Sequence, residues 1–392
     1  MSLSSAILGF FLVTISIITL IIILELIFRI NSWFQKTFII EEVSRKDFLS
    51  DEYQDYINRV EDWSKPMFYY LPVGLRLFNL DNPLPERVQN NSLGFRCREF
   101  TPPSPETYRI VLLGGSAAWG SGSTDNSTTI AGYLEKIINN DPGILGTNKK
   151  AECYNLAQLN GHQTQDILSL AFFCETIQPD LILSFTGWNE LISTETMNEE
   201  LLDRFGLFYI EEMEGWEPIN VSENKNALLK ESVKLWLNEH FEIAKNLRRS
   251  GRNKSGVRTL TFEEMLTKRS LLFQNHLKII NRLSNSYNAD HIQFLQPYLY
   301  RKSNLTQQEE KVIKLYDEVR PVHGGKKMGD YLRNNNIYEP MLSEFIKYPK
   351  KYGAVHDLCD MFRDENDTVF HTLVHLNDKG YKSVAEKIIR QL

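Results

Sequence analysis

The stretch Arg109-Ile110-Val111-Leu112-Leu113 is apolar after its first residue and ends on Gly114-Gly115-Ser116. An apolar run of this length, without polar alternation, fits a strand covered on both faces, and such strands belong to parallel sheets. The same unit recurs along the chain. Cys153-Tyr154-Asn155-Leu156 predicts a second strand, Asp180 to Phe185 a third introduced by Pro179, and His291 to Leu295 a fourth. Helical patterns separate them. Ile130, Leu134, Ile137 and Ile138 share one face after a cap at Ser127 or Thr128, and Thr164 to Ile177 forms the next helix. A last helix runs from about Asp378 to Arg390. Strand and helix in alternation imply crossover connections and an α/β fold, a parallel sheet with helices on both faces.

With 392 residues the chain can bury one large core or two modest ones. The regular pattern occupies residues 106–392, within which 195–288 are charged and mostly helical in pattern, an insertion lying over the sheet. Residues 31–105 are irregular and aromatic, closed by Thr101-Pro102-Pro103-Ser104-Pro105, and predict a linker with an extended lead-in. Residues 1–30 hold the uncharged run Ala6–Leu24, about as long as the roughly 30 Å hydrocarbon core of a bilayer requires. No small-residue cleavage site follows, so the run predicts an uncleaved single-pass transmembrane helix. Arg29, Lys36, Arg45 and Lys46 come after it, and the positive-inside tendency alone places the large domain in the cytoplasm.

Composition narrows the function. A formal net charge of -6 argues against a nucleic-acid partner, which needs a concentrated basic face. The one dense basic cluster, Lys245 to Lys254, reads as a solvated helix end. Cys97, Cys153, Cys174 and Cys359 contain no CxxC pair, so no zinc pattern is present, and Cys153 and Cys174 read as small buried residues.

Four short segments carry the candidate chemistry: Gly114-Gly115-Ser116, the turn ending in Asn160-Gly161, Gly187-Trp188-Asn189-Glu190, and His375-Leu376-Asn377-Asp378-Lys379-Gly380. Three sit at the carboxyl ends of predicted strands, where open parallel sheets bind ligands. Ser116 supplies a hydroxyl that becomes a nucleophile once a base takes its proton, and His375, ahead of a helix capped by Asn377 or Asp378, supplies that base. The Ser116 and Gly161 N–H groups and the Asn189 amide supply three oxyanion donors. Taken singly, each feature has a plainer reading: a phosphate-binding turn or loop, a turn glycine, a capping asparagine, a solvent-exposed histidine. His162, beside Gly161, either lines a cleft or sits on a surface turn.

In order and spacing, Ser116, Gly161, Asn189 and His375 resemble the four name-giving residues of the SGNH hydrolases, also called GDSL esterases. The resemblance covers roughly residues 91–392. Asn91-Ser92-Leu93-Gly94-Phe95-Arg96 and Gln296-Pro297 are similar to segments of membrane-anchored bacterial members associated with surface polysaccharides. It implies a flavodoxin-like three-layer α/β/α sandwich, no metal or cofactor, and ester hydrolysis or acyl transfer, often of acetyl groups on carbohydrate. It also implies a catalytic domain facing away from the cytoplasm, against the charge reading. Glu190 stands where the family usually has Asp, and Gly115 where it usually has Asp before the serine. The departure with chemical weight is Thr372, three residues before His375, where the family's triad acid normally lies. Removing that acid is expected to cost several orders of magnitude in triad enzymes. Thr372 can accept a hydrogen bond from the ring but supplies no charge, which leaves a Ser–His dyad, a carboxylate from Asp364, Glu365 or Asp367, or orientation by a backbone carbonyl. The alternatives are an O-acyltransferase using the same acyl-serine, and a binding or assembly protein without turnover.

Overall fold

The computed structural model describes residues 14–16, 19–27, 29–30, 68–70, 76–78, 87–192, 262–319 and 328–392. They fall in two compact units. In the first, residues 14–16, 19–27 and 29–30 are helical, and Arg29 Nε donates to Glu25 Oε1 at 2.8 Å one turn back. No helix among the described residues is long and apolar enough to cross a membrane. Residues 6–13, 17 and 18 of the expected anchor lie outside the described residues.

The second unit is built on five parallel strands: β1 (Thr107–Gly114), β2 (Lys150–Asn155), β3 (Leu181–Thr186), β4 (Asp290–Leu295) and β5 (Ala354–Asp357). Their order across the sheet is β2-β1-β3-β4-β5. The chain leaves β1 for one side, returns, and continues on the other, so a crevice opens where the order reverses, between β1 and β3. In register, Ile110 pairs with both Cys153 and Leu181, and Leu112 with both Asn155 and Leu183. A separate antiparallel pair joins Phe68–Tyr70 to Arg76–Phe78.

Alternate residues of β1 face opposite layers. Ile110 and Leu112, with Leu183 and Phe185 of β3, belong to one core with Ile130, Leu134 and Ile138 of α1 (Ile130–Asn140). Val384, Ala385 and Ile388 of the C-terminal helix Asp378–Ile389 complete that layer. Val111, Leu113 and Ile182 face Leu170, Cys174 and Ile177 of α2 (Gln163–Ile177) and Ile280 of α3 (Phe262–Ser286). The arrangement is a three-layer α/β/α sandwich. The helical insertion expected over 195–288 is described only from Phe262, where α3 is the crossover that returns the chain to β4. Residues 193–261, with the Lys245–Lys254 cluster, lie outside the described residues. Helices α4 (Gln307–Val319), α5 (Met328–Asn334) and α6 (Glu339–Lys347) precede β5, and α7 (Asp378–Ile389) closes the chain. All four cysteines are free thiols.

One cap differs from expectation in detail, and one agrees with it. Thr129, one residue past the expected pair, caps α1 by accepting the Gly132 N–H at 3.1 Å. Ser127 and Thr128 are instead held in a short 3-10 turn capped by Asp125, whose carboxylate accepts the Ser127 N–H at 2.7 Å. Asn377 caps α7, accepting from Gly380 N at 2.9 Å.

The lead-in is part of this core. Arg96, buried, lies over the Trp119 ring with its guanidinium carbon 4.6 Å from the centroid, and Nη1 donates to Gly120 O at 2.8 Å. Its Nε donates to Asn126 Oδ1 at 3.0 Å. Replacing Arg96 with Ala removes these charge-assisted hydrogen bonds and the ring contact and is expected to cost on the order of 3 kcal/mol in urea unfolding; a loss near zero would mean the lead-in does not brace the Ser116 turn.

Two buried histidines set an acid limit on stability. Burial lowers His276 to about 4 and His291 to about 3, so both stay neutral in the folded chain while the unfolded chain takes up protons below about 6.5. Stability is therefore expected to fall as pH drops below 6.5, by roughly 1 kcal/mol per histidine per unit until the folded values are reached. Unfolding midpoints between pH 7 and 5 check this, with a smaller decline expected in His291→Gln.

Candidate active site

The sheet order brings three of the four segments together, and the His375 loop packs against them. β1 lies between β2 and β3, so the turn after β1 that bears Ser116 stands between the turn after β2 that bears Gly161 and the turn after β3 that bears Asn189. Ser116 opens a one-turn helix, Ser116–Trp119, and its N–H is among those a helix start leaves without an intrahelical acceptor. Its Oγ lies 2.7 Å from His375 Nε2. Ser116, Asn189 and His375 are each half-buried among buried neighbours, at a surface a substrate can reach.

The nucleophile segment is stitched to the histidine loop at several points. Tyr381 Oη donates to Ser121 O at 2.6 Å. The Asp378 carboxylate accepts Thr124 N at 3.0 Å and Thr124 Oγ1 at 2.6 Å. Gly122, at φ +97°, lies so close that a Cβ there would meet Leu376 O at 2.4 Å. On the far side, Glu309 Oε1 accepts the N–H groups of Val369 at 3.1 Å and Phe370 at 3.2 Å. Glu309 is wholly buried and neutralised by the equally buried Lys302, whose Nζ also donates to Asp367 O at 2.6 Å. The backbone leading into Thr372–His375 is therefore held from both directions.

The oxyanion donors differ from expectation in one respect. Asn189 Nδ2 donates to Gly161 O at 2.8 Å, which fixes the amide plane and leaves its second hydrogen directed elsewhere. The Gly161 N–H closes a turn onto Gln158 O at 2.9 Å. This corrects the expected donor role: Gly161 orients Asn189 through its carbonyl, and the donors the geometry offers are the Ser116 N–H and the Asn189 amide. The crowding also accounts for Gly115, since a Cβ there would lie 2.4 Å from Asn189 Nδ2 and 3.0 Å from Gly161 O. Asn155, at the end of β2, steadies the nucleophile helix by donating to Ala118 O at 3.1 Å. His162 is buried at the start of α2, so it is not a surface turn residue.

At the far side of the imidazole, Thr372 Oγ1 is 3.0 Å from His375 Nδ1. The three carboxylates nearby in sequence are exposed or engaged elsewhere. Asp367 is exposed and pairs with Lys379; Glu365 accepts Asp367 N at 2.9 Å and pairs with the same lysine at 3.4 Å; Asp364 is exposed. Asp367 is thereby corrected as a ring-orienting residue. A hydroxyl meets Nδ1 in two ways, accepting from Nδ1–H or donating to bare Nδ1, and only the first leaves Nε2 free to take the serine proton. Thr372 Oγ1 also accepts the His375 N–H at 3.1 Å and, more weakly, that of Val374 at 3.4 Å, which compete for its lone pairs. The threonine holds the ring but selects the working tautomer less firmly than a carboxylate.

Among the described residues no cluster of His, Cys, Asp and Glu could hold a metal ion. A pocket of about 520 Å³ lies at the opposite end of the strands, beside Tyr108, Leu181, Asp290 and Ala354, away from Ser116. Gly115→Ala is expected to push the Asn189 amide aside. Losing one oxyanion donor lowers turnover by about 10²–10³-fold, so esterase assays of this variant should show a fall of that order with folding retained. Parent-like turnover would remove Asn189 from the hole.

No protein-family profile matches the chain, and no curated protein matches it. Among solved structures it is similar to the acetyl xylan esterase AlAXEase at 10% identity, with TM-score 0.32, covering 72% of this chain and 99% of that one. It is similar to a putative G-D-S-L family lipolytic protein from Desulfitobacterium hafniense DCB-2 at 13% identity, TM-score 0.35, with 72% and 99% covered. A GDSL-like lipase from Bacteroides thetaiotaomicron VPI-5482 is 9% identical at TM-score 0.32, with 74% and 92% covered. The second unit combines a parallel sheet of strand order 2-1-3-4-5 with Ser116, Gly161, Asn189 and His375 in that chain order and a 2.7 Å contact between Ser116 and His375.

Proposed function

We propose that the protein is a serine esterase of the SGNH type that cleaves acyl esters, acetyl esters of carbohydrate foremost, through an acyl-serine at Ser116. The observation that carries this reading is the 2.7 Å contact between Ser116 Oγ and His375 Nε2 at the carboxyl end of the sheet, with the Asn189 amide alongside. His375 Nε2 takes the Ser116 proton as Oγ attacks the acyl carbon, and the carbonyl electrons move onto oxygen facing the Ser116 N–H and Asn189 Nδ2. Collapse of this intermediate expels the alcohol, which leaves with the proton from His375. Water then attacks the acyl-serine, losing its proton to His375, and the carboxylic acid is released as Ser116 regains its hydrogen.

The acetyl and carbohydrate preference rests on the sequence resemblance, as does a catalytic unit on the side away from the cytoplasm; the single N-terminal membrane helix rests on the length of the uncharged run Ala6–Leu24. Transfer to a sugar hydroxyl uses the same acyl-serine and differs only in the acceptor. Thr372 favours a second reading, a slow or silent site that binds its ligand, because a neutral hydroxyl stabilises the imidazolium far less than a carboxylate.

Two variants separate these readings on para-nitrophenyl acetate. Ser116→Ala is expected to abolish turnover while leaving the melting temperature within a few degrees, because a half-buried turn hydroxyl contributes little stability. Thr372→Asp is expected to raise turnover at least tenfold by fixing the Nδ1–H tautomer and stabilising the imidazolium. Equal activity in Ser116→Ala and parent would remove Ser116 from the mechanism, and no gain in Thr372→Asp would show that the ring is already held by another group.

A further inference from the structure

Two acidic side chains that the chemistry above does not use are buried beneath the site, Asp166 at 2% exposure and Glu190 at 1%. Each is engaged with backbone N–H groups of the strand-end turns. Asp166 Oδ1 accepts the N–H of Gly114, two residues before the nucleophile, at 3.0 Å. Glu190 Oε2 accepts the N–H of Gly187, which heads the turn carrying Asn189, at 2.9 Å. Its Oε1 accepts the N–H of Gln163, two residues beyond Gly161, at 3.1 Å. The adjacent residue Asn189 joins the same two turns through its own bond to Gly161 O at 2.8 Å. Neighbouring residues of one turn thus grip neighbouring residues of the other.

We propose that Glu190 is a positioning residue for acyl transfer at Ser116, its carboxylate clasping the Gly161 and Asn189 turns so that the Asn189 amide is held where the oxyanion forms. This role rests on the esterase reading above. The chemistry of the clasp requires a carboxylate. Both oxygens of an ionised carboxyl accept, and the two bonds come from N–H groups on different turns. A carboxamide keeps one acceptor and sets an NH₂ against the second N–H, opening half of the clasp. Burying a carboxyl is costly unless hydrogen bonds repay it, so an acid retained here in place of an apolar side chain is doing a job that packing alone does not need. Among the described residues no ion pair joins Glu190 to a lysine, arginine or histidine, and its hydrogen bonds to Gly187 and Gln163 N–H are what offset its burial. Asp166 approaches from α2, and Tyr338, kept neutral by burial, donates its hydroxyl to Gln296 O at 2.9 Å. His162 is buried in the same turn as Gln163, and Arg269 from α3 donates to Leu191 O at 3.0 Å. Burial lifts Glu190 to about 7, so at pH 8 the carboxylate predominates.

The test compares full-length parent, Glu190→Gln and Glu190→Ala at pH 8, with active sites counted by fluorophosphonate titration. Glu190→Gln is expected to lower kcat per titrated site about 10–100-fold, the scale of a small misplacement of a catalytic group, with KM within twofold. Affinity for methylboronic acid, which places a tetrahedral anion on Ser116, should fall by the same factor, while inhibition by acetate is unchanged. Amide exchange of the Gly187 and Gln163 N–H groups should quicken at least tenfold in Glu190→Gln, and Glu190→Ala should lose more on every measure. Parent-like kcat and boronate affinity in Glu190→Gln overturn the proposal, as does a loss of activity that merely tracks the number of titratable serines. An inactive parent that the probe does not label overturns the esterase reading and this role with it, a result distinct from an active parent whose Glu190 variants behave like it.

Discussion

The contact between Ser116 and His375 joins residues 259 apart in sequence, and almost everything around the site serves to make it. A serine hydroxyl and an imidazole exchange a proton only within hydrogen-bond reach. Each therefore needs its own backbone fixed to a few tenths of an ångström. The nucleophile is fixed by the sheet: β1 sits between two strands, and its turn is gripped by Asn155, Arg96 and Asp166. The histidine lies on a loop and is fixed by what packs on it. Gly122 permits the close approach, Asp378 and Tyr381 tie across it, and the Lys302–Glu309 pair holds the loop from behind. The cost of burying that pair is offset by geometry, since Glu309 accepts from Thr306, Val369, Phe370 and Lys302 together.

Charge is distributed unusually at this centre. Where a triad enzyme keeps a carboxylate behind its histidine, a threonine hydroxyl stands here, and the nearby acids of the 364–367 segment turn to solvent and Lys379. Carboxyl groups are instead concentrated beneath the oxyanion side, as Asp166 and Glu190. Burial raises both, and the charge of Glu190 adds to the effect on Asp166. Their bonds go to backbone N–H groups of the turns, not to the imidazole. The turns that carry Gly161 and Asn189 are thus braced by several bonds, while His375 Nδ1 is met by a neutral hydroxyl.

The strands were legible because a sheet buried on both faces writes itself as short apolar runs, and Ile110 to Leu113 has no other use. That Ser116, Asn189 and His375 stand at one end of the sheet was legible because a strand end or a helix start fixes where such a residue lies. The Gly161 role was not, because the choice between its N–H and its carbonyl depends on how a turn closes onto Gln158, a matter of a single dihedral. Thr129 displaced the expected caps for a similar local reason: Asp125 had already claimed the preceding residues. The contributions of Asn155, Glu309 and Asp166 were invisible because each acts on a partner far along the chain. Glu190 left a faint signal, an acid between the buried strand Leu181–Thr186 and the apolar pair Leu191-Ile192, and Asp166 lies in the first turn of α2, where an acid is ordinary.

The central claim is that His375 activates Ser116 although Thr372 replaces the acid. Reacting the protein with a fluorophosphonate probe and mapping the adduct by mass spectrometry tests it most directly. Labelling confined to Ser116, and lost in His375→Ala, is the result this account predicts. A folded protein that takes up no probe, or takes it up equally without His375, would contradict it.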